Sequence, residues 1–141
     1  MVGTAYLQAG SVEPLFVAAA IPVGCLITAI LVVNNLRDIP TDAAAGKRTL
    51  AVILGRERTA LEYVLLVTLA YVTPLFLAEG LTRWPVLLPI LSLPLAWPLI
   101  GRVRSFSEPR QLNPVLKGTA RLALVHSLLF GAGLALAGAM A

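Results

Sequence analysis

The chain has 141 residues, of which 58% are hydrophobic and only 13% charged, and its mean hydropathy is +0.87. A soluble domain carries about a quarter charged residues, so this composition excludes an ordinary water-soluble fold and places the chain in a bilayer. The net charge of +4 does not point to nucleic acid, because the basic residues fall into two clusters between apolar runs, the pattern of membrane-protein loops.

Residues Met1 to Val12 contain no cation, and the apolar run that follows is long enough to span, which argues against a cleavable leader. That run, Pro14–Leu36, contains no Asp, Glu, Lys, Arg or His. Crossing the hydrocarbon takes about 20 residues, so it qualifies. Cys25 lies within it and is the only cysteine, which rules out a disulfide framework and a thiolate metal centre; a small buried core residue is expected.

A polar stretch follows. Pro40 disfavours helix at Ile39, which predicts a break there, then a short helix from Pro40 towards Ala45 ended by Gly46. A second short amphipathic helix is expected over Thr49–Leu54, stopped by Gly55 and lying on the bundle or among headgroups. Three more uncharged apolar stretches come next, Tyr63–Ala78, Trp84–Gly101 and Leu122–Ala141. The first of them reaches full length only with flanks such as Leu61 and Leu81. The second carries Pro85, Pro89, Pro94 and Pro98 and should be kinked or broken.

The expected architecture is an all-α, polytopic transmembrane helical bundle of about four spans in one membrane domain. The spans are 14–36, 61–81, 84–101 and 120–140, joined by long polar connections 37–60 and 102–119. No cation precedes the first span; Arg37, Lys47, Arg48, Arg56 and Arg58 follow it, Arg83 stands alone in the next connection, and Arg102, Arg104, Arg110, Lys117 and Arg121 precede or open the last span. By the positive-inside rule both long connections face the cytoplasm and both termini face outward. Long connections are also where function concentrates.

The first connection holds the only two aspartates, Asp38 and Asp42. At spacing i, i+4 they share one face wherever the backbone is helical. Paired carboxylates repel unless a cation sits between them, and oxygen ligands of this kind favour Mg²⁺, which completes its shell with water and phosphate oxygens. Asn34 and Asn35 can add ligands or orient the aspartates, and Arg37, Lys47 and Arg48 can neutralise phosphate. The plain alternative is a solvated interfacial loop whose charges only set topology.

Elsewhere, His126 within the last span reads as a functional intramembrane group or, more simply, as a neutral imidazole hydrogen-bonded to a neighbouring helix; Tyr63 and Tyr71 read as reaching the cavity or as interface anchors, a role that suits Trp84 best. Gly131, Gly133 and Gly138 read as close helix packing, and Lys117 and Arg121, four apart, as cations that face a diphosphate or, more commonly, only snorkel to headgroups.

The longer string Asn34-Asn35-Leu36-Arg37-Asp38-Ile39-Pro40-Thr41-Asp42, followed by Gly46-Lys47-Arg48-Thr49-Leu50-Ala51-Val52 and Gly55, resembles the second aspartate-rich motif of the UbiA superfamily of intramembrane prenyltransferases. The likeness is greatest to the menaquinone-pathway branch that prenylates 1,4-dihydroxy-2-naphthoate. It continues at Gly3-Thr4-Ala5-Tyr6 and from Leu112-Asn113-Pro114 to Leu122, so it covers nearly the whole chain.

The resemblance implies a transferase of the bacterial inner membrane that moves a polyprenyl group from its diphosphate to an aromatic acceptor. Mg²⁺ assists departure of the diphosphate, and the electron-rich ring attacks the allylic cation with loss of its carboxylate. It assigns Asp38 and Asp42 to Mg²⁺, and Arg37 and Lys47 to the diphosphate. Members of the superfamily have nine spans and two aspartate-rich motifs, whereas this chain has aspartates for one. It therefore resembles the C-terminal half only, and without the missing N-terminal half catalysis is not expected. Competing readings are another aromatic prenyltransferase of the superfamily, a non-catalytic membrane or transporter fragment, and a phosphatidyltransferase. The last requires Asp-Gly and Ala-Arg pairs where this chain has Val33-Asn34-Asn35.

Overall fold

A computed structural model describes residues 2–81 and 84–140. Arg83 and Ala141, which the sequence reading assigned to the outer connection and to the end of the last apolar run, lie outside the described residues. The described residues form an all-α bundle with no strand: α1 (Val2–Ala9), α2 (Pro14–Ala44), α3 (Leu50–Leu81), a 3₁₀ segment (Trp84–Ser92), α4 (Leu93–Ser105), a short 3₁₀ turn (Pro109–Gln111) and α5 (Leu112–Ala139). Four stretches, Pro14–Ala44, Leu50–Glu79, Trp84–Ser105 and Pro109–Ala139, are long and apolar enough to cross a membrane. Many large side chains point outward, among them Leu31, Leu65, Phe76, Trp97 and Leu128. In a bilayer such side chains meet lipid at no hydrophobic cost.

The core is assembled from one face of each long helix. Leu26, Ala29, Val33 and Leu36 of α2 are fully or almost fully buried against Tyr63, Val67 and Ala70 of α3 and Leu112, Val115 and Leu122 of α5. Cys25 is free and buried in the same cluster, as expected of a small core residue. A smaller cluster of Val86, Phe130 and Ala137 packs the 3₁₀ segment onto the far part of α5. The proline-rich third stretch is indeed not one regular helix. Each proline removes a backbone donor, and 3₁₀ geometry persists from Trp84 to Ser92 before α-helix begins at Leu93.

Of the two expectations about the first connection, one is corrected and one holds. The break at Ile39–Pro40 is absent: α2 continues through Pro40 to Ala44. Pro40 forfeits only its own hydrogen bond to the preceding turn, and the burial of Val33 and Leu36 holds the helix on the core up to that point. The short helix expected over Thr49–Leu54 is present: it starts at Leu50, where Thr49 Oγ1 accepts the Val52 N–H at 3.3 Å, and its helical conformation stops at Gly55. Gly55 adopts φ +74° and ψ 175°, outside the helical region, and the long part of α3 resumes beyond this kink.

Side chains of the bundle interior also differ from expectation. Tyr63 and Tyr71 are not interface anchors. Tyr63 is fully buried and shares a hydrogen bond of 2.9 Å with Thr119 of α5, and the Tyr71 hydroxyl meets Ser92 Oγ at 2.6 Å. Trp84 is largely exposed, consistent with its expected place at a boundary. His126 is fully buried, and among the described residues neither ring nitrogen meets hydrogen-bond geometry, although the Ala70 backbone on α3 interacts with the ring. Its ring stands edge-on to Tyr71, with centroids 5.0 Å apart, and lies 6.3 Å from Phe130. Only one of the three glycines read as packing positions packs tightly. A Cβ on Gly133 would collide with the Pro85 carbonyl, whereas Gly131 and Gly138 face open space.

Candidate functional site

Because successive long helices run in opposite directions, the end of α2, the start of α3, the end of α4 and the start of α5 gather at one end of the bundle. Contacts across this end join the two polar connections. Arg56, just after the α3 bend, lies over the Phe106 ring with its guanidinium 3.9 Å from the centroid. Arg37 Nη1 donates to Asn113 Oδ1 on the first turn of α5 at 3.2 Å.

Arg37 is the hub of this mouth. Its Nε donates to Asp38 Oδ1 at 2.8 Å and its Nη2 to Asp38 Oδ2 at 2.9 Å, a two-pronged ion pair. The same Nη2 also donates to Asn34 Oδ1 at 2.8 Å, one turn earlier on α2. The guanidinium is therefore held by three different side chains from two helices. Asn35 is half-buried and takes no part in these hydrogen bonds.

Asp42 is paired separately. Helix α2 ends in a left-handed cap: Gly46 adopts φ +71°, its N–H donates to the Ala43 carbonyl, and the Lys47 N–H donates to the Asp42 carbonyl at 2.9 Å. This turn carries Lys47 back over the last helical turn, where its Nζ donates to Asp42 Oδ1 at 2.9 Å. The hydrogen bond to Asp42 and its negative charge hold the Lys47 ammonium above the usual lysine range.

Asp38 and Asp42 thus lie one turn apart on an unbroken helix, on the same face, each with its own cation. Among the described residues no three or more His, Cys, Asp or Glu side chains gather as a metal cage. Two carboxylates are nonetheless the protein share that Mg²⁺ commonly takes, the rest of its shell being water and substrate oxygens. The donor set fits that metal in kind. Beside the mouth, a groove of about 450 Å³ runs between α2 and α5. Ile27, Ile30, Leu31, Leu116 and Ala120 line it, and Asn34 and Lys117 stand at its polar end.

The structure brings Asn34, Arg37, Asp38, Asp42 and Lys47 into this one region and adds Asn113, which sequence reasoning quoted in a motif but gave no role. The signal was its place in Leu112-Asn113-Pro114, next to the start of α5. Only the pairing of two helices could show that it faces Arg37.

Residues 1–125 match the UbiA prenyltransferase family. The chain belongs to that family. It is 43% identical over its whole length to a 1,4-dihydroxy-2-naphthoate octaprenyltransferase of Mycobacterium tuberculosis, covering 46% of that protein. It is 37% identical over 139 residues to the protein of the same name from Escherichia coli, covering 44% of it. The human UbiA prenyltransferase domain-containing protein 1 is 34% identical over 131 residues, with 37% of its length covered. The UbiA chain described here therefore spans less than half the length of the curated relatives it matches. No solved structure matches it. With four helices able to cross a membrane, this UbiA family member is a multi-pass membrane protein.

Proposed function

We propose that this chain forms part of an intramembrane prenyltransferase that moves a polyprenyl group from its diphosphate onto 1,4-dihydroxy-2-naphthoate, a step of menaquinone synthesis. The observation that carries the reading is the mouth itself. Two carboxylates one turn apart, flanked by Arg37 and Lys47, open beside an apolar groove. The names of the bacterial relatives give the acceptor and the donor class. The charge pattern supports a mouth facing the cytoplasm and a site in the bacterial inner membrane.

In this reading Asp38 and Asp42 hold Mg²⁺, which stabilises the negative charge that grows on the departing diphosphate. Arg37 and Lys47 face the same phosphate oxygens, and positioned cations of this kind act where charge develops. Lys117, at the polar end of the groove, adds a further cation. The apolar groove holds part of the prenyl chain and keeps water from the allylic carbon, so that the acceptor ring attacks it instead. Asn34 and Asn113 orient Arg37. Because the chain spans less than half of its relatives, residues beyond it complete the site.

The test is prenyl transfer in membranes. The chain alone gives no turnover. Membranes that also contain the remaining portion of a full-length relative, supplied with polyprenyl diphosphate and the naphthoate, give Mg²⁺-dependent product. Asp38→Ala or Asp42→Ala then lowers that rate by 100-fold or more, on the order of the loss of one key electrostatic group. Wild-type turnover by both substituted proteins would sink the assignment.

A further inference from the structure

The two carboxylates of the mouth are not held alike. Both oxygens of Asp38 accept from Arg37, whose guanidinium is also tied to Asn34 and Asn113. Moving that cation breaks hydrogen bonds on two helices. Among the described residues the Asp42 carboxylate has a single partner, Lys47 Nζ on Oδ1. The Lys47 side chain is 64% exposed while that of Asp42 is 13% exposed, so a well-placed carboxylate is covered by a loosely held cation. Lysine is a compact charge on a flexible stem, and an exposed pair of this kind adds little net free energy. What fixes Lys47 near Asp42 is the backbone of the left-handed cap, which stays in place when the side chain swings.

Charge balance points the same way. Arg37, Asp38, Asp42 and Lys47 sum to zero, so a bare divalent cation meets no net attraction at the mouth and direct repulsion from Lys47. A metal–diphosphate complex brings phosphate oxygens that give Lys47 somewhere to go. We propose that Lys47 is a placeholder cation at Asp42, exchanged for a divalent metal when the metal–diphosphate complex arrives and passed on to the phosphate oxygens. Asp42 is then the carboxylate that exchanges its cation for the metal, while Asp38 keeps Arg37 and turns to the metal the lone pairs that Arg37 leaves free. This rests on the metal role proposed above for the aspartates.

The test is Mn²⁺ binding to the 141-residue chain, assembled in detergent micelles with the remaining portion of a full-length relative, read by electron paramagnetic resonance with and without inorganic pyrophosphate. The assembly with wild-type chain binds Mn²⁺ weakly without pyrophosphate and more tightly with it. Lys47→Met raises the affinity for Mn²⁺ alone about tenfold, the size expected from removing one adjacent like charge and its carboxylate contact. It also shrinks the gain from pyrophosphate. Lys47→Arg, which keeps the cation, stays near wild type, and Arg58→Met, the same charge change at an exposed position of α3, changes affinity less than about twofold. Mn²⁺ binding that Lys47→Met leaves unchanged overturns the placeholder role while leaving the metal site standing. No Mn²⁺ binding by any of these proteins, with or without pyrophosphate, overturns the metal site and the placeholder together.

Discussion

Arg37 shows how much a single side chain can organise. Its planar fork satisfies Asp38 in two-pronged fashion and still reaches Asn34 and Asn113, a geometry that lysine cannot reproduce. Arg37→Ala leaves Asp38 unpaired at a half-buried position and should lower stability by about 1–2 kcal/mol, with Asn113→Ala costing a fraction of that. In a double-mutant cycle read by thermal unfolding in micelles, the two losses should fall short of additive, because both remove the same link between α2 and α5. His126 makes the opposite case. Its buried nitrogens carry a desolvation penalty that no hydrogen bond among the described residues offsets, so His126→Leu should be neutral or stabilising by up to about 1 kcal/mol. A loss above about 2 kcal/mol on the same assay would show that the imidazole has a polar partner after all.

At the scale of elements, proximity to backbone decides which glycines matter. Gly133 lets α5 touch the Pro85 carbonyl at the start of the 3₁₀ segment, and a methyl group there would have to push one element off the other. Gly133→Ala should destabilise by about 1–3 kcal/mol, as overpacking does. Gly131→Ala faces open space and should instead gain up to about 1 kcal/mol from helix propensity. Unfolding of the two variants in one detergent gives the comparison, and equal shifts would contradict the close approach. Composition showed a small-residue tail on the last helix, yet it could not tell these positions apart, because each differs only in what another element places opposite it. The same holds for Pro40. Proline favours a break, but α2 is already packed through Leu36, and one missing hydrogen bond near a helix end does not outweigh that burial.

For the molecule as a whole, the two cation-rich connections meet at one end, joined by Arg37 to Asn113 and by Arg56 over Phe106. If that end faces the cytoplasm, a cysteine introduced by Ser107→Cys should react with a membrane-impermeant maleimide only after the inner membrane is opened, in a Cys25→Ser background. Labelling from the outer side of intact spheroplasts would reverse the orientation. The four helices able to cross a membrane, the mixed character of the proline-rich third stretch and the aspartate motif were all legible from residue order. Each depends on composition along a single segment, on proline's missing donor, or on spacing along one helix. Hydropathy is a local property, and the bilayer reads it locally. Tertiary structure alone decided that Asp38 and Asp42 belong to different cations, that Asn113 serves Arg37, and that Tyr63 and Tyr71 hydrogen-bond to Thr119 and Ser92 inside the bundle. Those outcomes depend on which side chains distant helices present to one another, and packing sets that choice where sequence spacing is silent.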